Sequence, residues 1–239
     1  MTEVAHLHPW HSQLEALDQT QVTFNREIVY VDVTLAEAEM WNKSFSYMCR
    51  KNINRSRQEQ VRVFTAQTLD HVREFYRIYV QTMDRRSARS NYYFPFEYFA
   101  AFFEQVPEHA RFVLAEYKDQ IVASTLYLHD DQDVYSYLGG ADHAFQLARP
   151  TNAVIHETIG WARAQGKRRL ILGGGYKPDD GIFRFKASFS PLRATFNLYK
   201  RIHAYDQYNS LASAWAQFYH QDLDKDSYFP LYRIVPESN

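Results

Sequence analysis

With 239 residues and a formal net charge of −1, the chain is long enough to bury a sizeable core and carries no global field that would recruit nucleic acid. Its single cysteine, Cys49, excludes an intramolecular disulfide framework and a CxxC zinc site; lying on an amphipathic pattern, it reads as a buried, inert thiol. No run approaches the ~20 apolar residues of a spanning helix, and MTEVAHLHPWHSQ lacks the charged-then-apolar layout of a signal peptide, so the expectation is a cytoplasmic protein without a transmembrane segment.

Residues 1–25 are polar and read as irregular. His6, His8 and His11 lack acidic or cysteine company, so no metal site is read there. REIVYVDV (26–33) is a β-branched strand, and Thr34 with Glu37 forms a capping-box pattern predicting a helix through MWNKSFSYMCRKNINRSR. That helix ends in a basic cluster of Arg50, Lys51, Arg55 and Arg57. A short strand, 61–67, follows. From Leu69 the period becomes helical, with Val72, Phe75, Tyr76, Tyr79 and Met83 on one face. This helix runs out in DRRSARS, and Pro95 separates it from a buried helix over Phe96 to Phe103.

A three-strand meander is predicted over 111–118, 121–130 and 133–140, with a tight turn near Asp119. Pro150 precedes a clear helix from Thr151 to Gln165, which Gly166 stops. A buried strand opens into glycines at 167–175, a short helix spans Gly181 to about Ser188 before Pro191, a strand covers 194–202, and a last helix lies near 206–221. The order implies an α/β chain with a mixed sheet of about six to seven strands and helices on both faces, in one domain over 26–235. Two strands expected to be parallel neighbours end in glycine, at Leu138-Gly139-Gly140 and at Leu172 to Gly175, which predicts a splayed slot between them lined by Gly139 and Gly173.

GIFRFKASFSP (181–191) sets Arg184 and Lys186 in an aromatic run. A lysine there either snorkels to water or meets an anion, and the residues alone leave both open. Tyr135 and Tyr137 share a strand face by period two, which faces either the slot or the core. The high tyrosine count, 18 beside 17 phenylalanines, suits amphipathic cleft walls.

Taken together, YVDVTLAEAEMWNKSFSYMCRKNINRS, FYRIYVQTMDRR with YYFPFEYF, IVASTLYLHDDQDVYSYLGG, RPTNAVIHETIGWARAQGKRRLILGGG, FRFKASFSP and FPLYR resemble the FemAB-like branch of the GNAT acyltransferase superfamily over roughly residues 25 to 235. The resemblance implies a GNAT fold that moves an acyl group onto an amine; FemAB-type members take an amino acid from aminoacyl-tRNA and add it to a peptide of a cell-wall precursor. Full-length members carry two GNAT-like halves, whereas about 25 residues precede the first matching strand here, so a single half is expected, with the acceptor site completed differently, in trans or in a homodimer. In the family a Phe-Lys pair lines the transfer site, and Phe185 and Lys186 match it. A cation in a dry aromatic pocket stabilises the tetrahedral oxyanion of amine attack on an ester or thioester. Arg85, Arg86 and Arg89, with Tyr92 and Tyr93, resemble the family's acceptor corner, where an arginine and a tyrosine hold an anionic group.

Acyl-CoA members of the superfamily carry a glycine loop at the start of the crossover helix that cradles pyrophosphate. QLARPTNAVI has no glycine there, although Arg149, Thr151 and Asn152 remain phosphate-binding candidates. The expected co-substrate is therefore aminoacyl-tRNA ahead of acyl-CoA, with no permanently bound cofactor and an amine-bearing acceptor as partner. The basic clusters at 50–57, 85–89 and 167–169 offer a local tRNA footprint. No base stands out: Glu157 and Asp142 are the candidates. A non-catalytic binding module that has kept the fold is the alternative reading.

Overall fold

The computed structural model describes residues 1–10, 15–220 and 228–234. His11 and residues 221 and 235, at the expected ends of the last helix and of the domain, lie outside them. The elements in chain order are β1 (Thr2–Leu7), β2 (Val22–Asp32), α1 (Glu37–Glu39), α2 (Tyr47–Gln58), β3 (Arg62–Thr65), α3 (Leu69–Arg85), α4 (Phe96–Gln105) and β4 (Ala110–Tyr117). They continue with β5 (Gln120–His129), β6 (Asp133–Ala141), α5 (Pro150–Ala164), β7 (Arg169–Gly173), α6 (Gly181–Ala187), β8 (Arg193–Ile202) and α7 (Tyr205–Tyr219). Two compact units are present, Ile28–Arg193 and a second made of Met1–Glu27 with Ala194–Asn239; β2 begins in the second and ends in the first.

In the larger unit the strand order is β2-β7-β6-β5-β4-β3, antiparallel except for β6 and β7, which run parallel through the crossover of α5. The β4–β5 turn places Lys118 and Asp119 both at positive φ, 52° and 59°, the twist that matches a tight hairpin. Strand β4 alternates between two cores, as its period requires. Val113 and Ala115 join Cys49, Ile53, Val154 and Ile159 under α2 and α5, whereas Phe112 and Leu114 join Phe75, Tyr79 and Phe99 under α3 and α4. Cys49 is fully buried and burial pushes its thiol up to about 12, the inert state expected of it.

Two local expectations fail. The helix expected from Thr34 is broken: Thr34 turns back, donating both its N–H and its hydroxyl to Asp32 Oδ1 (3.0 and 2.6 Å), so no capping box forms. A three-residue α1 runs into a π turn, Met40–Ser44; Phe45 is extended, and Ser46 caps α2 afresh by accepting the Cys49 N–H at 3.1 Å. What decides this is tertiary: the Ser46 N–H donates to the Ser188 carbonyl (2.8 Å), and Arg50 Nη1 caps the π turn through the Trp41 and Phe45 carbonyls.

In the smaller unit the order is β1-β8-β2, with α7 packing Tyr208 and Ala212 on Leu231. The N-terminal segment is thus not irregular throughout. Residues 2–7 pair with β8 from Thr2↔Ile202 to Leu7↔Asn197, a partner too distant in sequence to be read from local composition.

Candidate functional site

Strands β6 and β7 pair at only three positions, Asp133↔Arg169, Val134↔Leu170 and Tyr135↔Ile171. Beyond them β6 follows β5 while β7 follows β2, whose Val29 faces Gly173. The gap is a cavity of about 860 Å³, lined by Ser136–Ala141 of β6, Leu172 of β7, the face of α3 at Tyr79 and Thr82, the first turn of α5, and Phe185 and Lys186 of α6. This is the slot expected from the two glycine-ended strands. Close approach explains the glycines: a Cβ on Gly139 would meet the Ser124 carbonyl at 2.5 Å, and one on Gly140 would meet Thr82 Oγ1 at 2.2 Å.

Helix α6 is positioned by Asp180. Its carboxylate accepts from the N–H groups of Phe183 (2.7 Å), Tyr176 (2.7 Å) and Lys177 (3.1 Å), an N-cap that also folds the preceding loop. Gly175 leaves room for it, since a Cβ there would sit 2.3 Å from Asp180 Oδ1. These bonds, the one from Phe183 foremost, hold the Asp180 carboxyl below the usual range, so it stays ionised and is a poor base. On α6, Phe185 packs edge-on against the buried Phe189 (5.7 Å between centroids), and Lys186 is half-buried with Nζ donating to the Gly174 carbonyl at 2.8 Å. Gly173, at φ 79°, does not line the cavity itself but stands behind the lysine; a Cβ on it would be 3.4 Å from Nζ.

On the facing wall, Arg149 adopts the left-handed conformation at the N-cap of α5 and lines the cavity with Thr151 and Asn152. The N–H groups of Asn152 and Ala153 turn back to the Arg149 carbonyl, which reduces the amides available to cradle a phosphate. Asn152 is 4% exposed, and its Nδ2 has no hydrogen-bond partner among the described residues, a costly state for a buried donor unless a ligand supplies an acceptor.

The acceptor corner divides. Arg85 donates to the Ala141 carbonyl (2.8 Å) at the rim, and Arg86 and Tyr92 also line the cavity. Tyr93 does not; its hydroxyl is committed to Asp84 Oδ1 at 3.0 Å. Of the two strand tyrosines, Tyr137 lines the cavity with its hydroxyl 2.6 Å from that of Tyr98, and burial raises its pKa, keeping it a protonated donor. Tyr135 lies elsewhere: its hydroxyl donates to Asp130 Oδ2 (3.0 Å) at the β5–β6 turn, near the paired end of the strands, and it is not among the residues that line the cavity. Neither base candidate reaches the cavity. Glu157 is paired with Arg111 at 3.1 Å, and Asp142 caps the 3-10 turn over His143–Ala148 by accepting the Ala144 N–H.

The lining also holds residues not singled out as site candidates in the sequence, Tyr79, Thr82 and Asp180 among them. Tyr79 donates to the Tyr92 carbonyl and burial pushes its hydroxyl to about 12; Thr82 accepts the Ala141 N–H at 3.3 Å and donates to the Ile78 carbonyl; Asp180 caps α6. The signal for Thr82 was its place three residues beyond Tyr79 on the apolar face of α3, and for Asp180 the Asp-Gly pair opening a helix. Among the described residues no group of three or more His, Cys, Asp and Glu is placed to hold a metal, and no helix is long and apolar enough to cross a membrane.

No curated protein sequence matches the chain. Solved structures share its fold at low identity. FemX superposes with a TM-score of 0.65 at 11% identity, over 87% of this chain and 68% of its own. The C-terminal domain (DUF2156) of a protein assigned as a lysylphosphatidylglycerol synthetase from Agrobacterium fabrum gives 0.54 at 11%, over 83% and 66%. L-PGS from Bacillus licheniformis gives 0.53 at 13%, over 78% and 63%. The chain thus spans about two thirds of the length of each. The family described as Acetyltransferase (GNAT) domain matches residues 43–187, which hold the whole cavity wall and more than half of the chain, so the protein belongs to the GNAT family and is an acyltransferase of that class.

Proposed function

We propose that the protein moves an aminoacyl group from aminoacyl-tRNA to an amine of a peptide-like or cell-envelope-precursor acceptor, in the cytoplasm and within a single catalytic domain over 26–235. The observation that carries this reading is the half-buried ammonium of Lys186 at the mouth formed where β6 and β7 part. The acceptor amine attacks the ester carbonyl of the donor and forms the C–N bond. Charge builds on the carbonyl oxygen, and Lys186 Nζ donates to it more strongly than to the neutral ester. Collapse breaks the ester C–O bond, and the proton lost by the amine passes to the departing ribose oxygen, directly or through water. This route needs no protein base, in keeping with Asp180 being a weak one and Glu157 and Asp142 lying elsewhere. Arg85 and Arg86 would hold an anionic group of the acceptor, and Tyr137 and Asn152 would orient the donor.

The test is Lys186→Met assayed with a charged-tRNA pool. Transfer should fall about 10²- to 10³-fold with the melting temperature held, the loss typical of one oxyanion donor; equal turnover in both proteins would remove Lys186 from the chemistry, and turnover in neither would leave only a binding module. A second reading, acyl-CoA as donor, is favoured by the family description of an acetyltransferase. Calorimetric titration with free CoA separates the two: micromolar binding would replace the tRNA donor with CoA.

A further inference from the structure

Helix α2 carries a second stripe whose function the transfer site does not absorb. Tyr47, Arg50, Lys51, Asn54, Arg55 and Gln58 recur at spacings of three and four, opposite the buried Cys49, Ile53 and Ser56. They form one wall of a separate groove of about 720 Å³, closed by Trp41, Leu147 and Arg149. Among the described residues its lining holds four cations and no carboxylate. Arg50 is turned into the π turn, and Arg55 is shared with Glu59 at 2.5 Å, whereas Lys51 is exposed along the groove. Tyr47 is 70% and Leu147 69% exposed, so the groove presents an open aromatic ring and an aliphatic side chain beside its cations. Arg149 lines both this groove and the transfer cavity, so the two meet at the N-terminus of α5.

We infer that this groove is a track for a single RNA strand leading into the transfer cavity, with Lys51, Arg55 and Arg149 on phosphates and Tyr47 as a stacking surface for a base. The inference rests on the proposed tRNA donor and extends it from the ester to the strand that carries it. Single-strand sites combine a cationic groove with exposed aromatic rings. From Tyr47 to Gln58 the helix spans ~17 Å, the length of a few nucleotides, which exceeds the single nucleotide of CoA. The uncharged amides of Asn52, Asn54 and Gln58 suit sequence-tolerant contacts, and with no carboxylate among the described lining residues there is little repulsion to oppose a phosphate chain.

Fluorescence anisotropy with a labelled single-stranded RNA ending in the 3′ sequence of deacylated tRNA tests it on the intact protein. Lys51→Glu and Tyr47→Ala should each weaken binding about tenfold without moving the melting temperature, both side chains being solvent-facing. Lys51→Ala should also lower the slope of log affinity against log salt by about 0.7. Lys186→Met should bind RNA like the unaltered protein, which separates the two ideas. Full transfer from aminoacyl-tRNA by Lys51→Glu and Tyr47→Ala, with unchanged RNA affinity, overturns the track and leaves the transfer reading standing. RNA binding that these variants lose, in a protein that turns over acyl-CoA alone, keeps the track and overturns the donor. Competition for the groove by free CoA, with no RNA bound, overturns both.

Discussion

The two ends of the β6–β7 ladder put the same kind of charge to different uses. At the paired end Arg169 clasps Asp133 with both arms, Nε to Oδ1 at 2.6 Å and Nη2 to Oδ2 at 2.8 Å, with the two side chains 13% and 1% exposed. Here the cation meets a carboxylate with matching geometry inside the sheet, and its role is complete on folding. At the parted end Lys186 is steadied by a carbonyl dipole beside an open cavity, on a helix whose capping carboxylate is occupied by backbone N–H groups. Strand pairing explains the difference. While the ladder holds, there is no space for a ligand; three residues later there is, and a charge placed there can act on something that arrives.

The largest effect should come from the closed end. Arg169→Ala removes both charge-assisted bonds from the buried Asp133 carboxylate, and breaking a buried pair in this way typically costs about 3–5 kcal/mol. Chemical denaturation should show that loss, with turnover per folded molecule retained; a cost below about 1 kcal/mol would mean that Asp133 finds water and that the two ends differ less than their geometry implies. Lys186→Met is the mirror case. About 2.7–4 kcal/mol should appear in the barrier to transfer and little in the denaturation midpoint.

A smaller change tests whether the parted end depends on the close approach of α3. Gly140→Ala drives a methyl group onto Thr82 Oγ1 and toward the Ile78 carbonyl, 2.9 Å away, so α3 and β6 must separate. Overpacking of this kind costs about 1–3 kcal/mol. Since Thr82 and Arg85 ride on that helix and Arg86 caps its end, the Michaelis constant for the acceptor should rise with the loss of stability. Thr82→Ala in the Gly140→Ala background removes the hydroxyl at the contact and should recover part of both.

These contrasts also mark what a sequence can disclose. The period of α3, the hairpin turn at Asp119 and the glycines at 139–140 and 173–175 are local signals, and each maps directly onto an element or a boundary of the slot. Lys186 drew attention because a cation in an aromatic run breaks the local pattern. The break at Phe45–Ser46 could not be read, because its cause is the Ser188 carbonyl, more than a hundred residues away, and β1 could not be read because its partner is β8. Tyr135 and Tyr137 look equivalent by period two, yet register ties one to the Asp130 turn and leaves the other at the cavity; Tyr137 is the extra residue of the bulge opposite Leu126/Tyr127. Asn152 shows the same limit, since its orphaned amide emerges only once the surrounding walls are in place.

The smallest effect concerns α5, the crossover that joins the two ends. His156 lies on α5 against Trp41 and Phe45, with ring centroids 6.0 and 6.1 Å away. Burial first, and then the nearby charge of Arg57, lower its pKa below the ordinary 6.5. An unfolded chain therefore binds a proton at this position before the folded one does, so its share of stability is full above pH 6.5, declines as the pH falls below it, and is gone once the pH passes the folded value. His156→Gln should flatten the acid side of the stability–pH profile only in part, because burial lowers His129 as well and that ring keeps its own share. Transfer measured per folded molecule should not follow the change, since His156 does not line the cavity. If it did follow, the crossover helix would be relaying protonation to the parted end, and the separation between a structural and a reactive end of the ladder would have to be redrawn around α5.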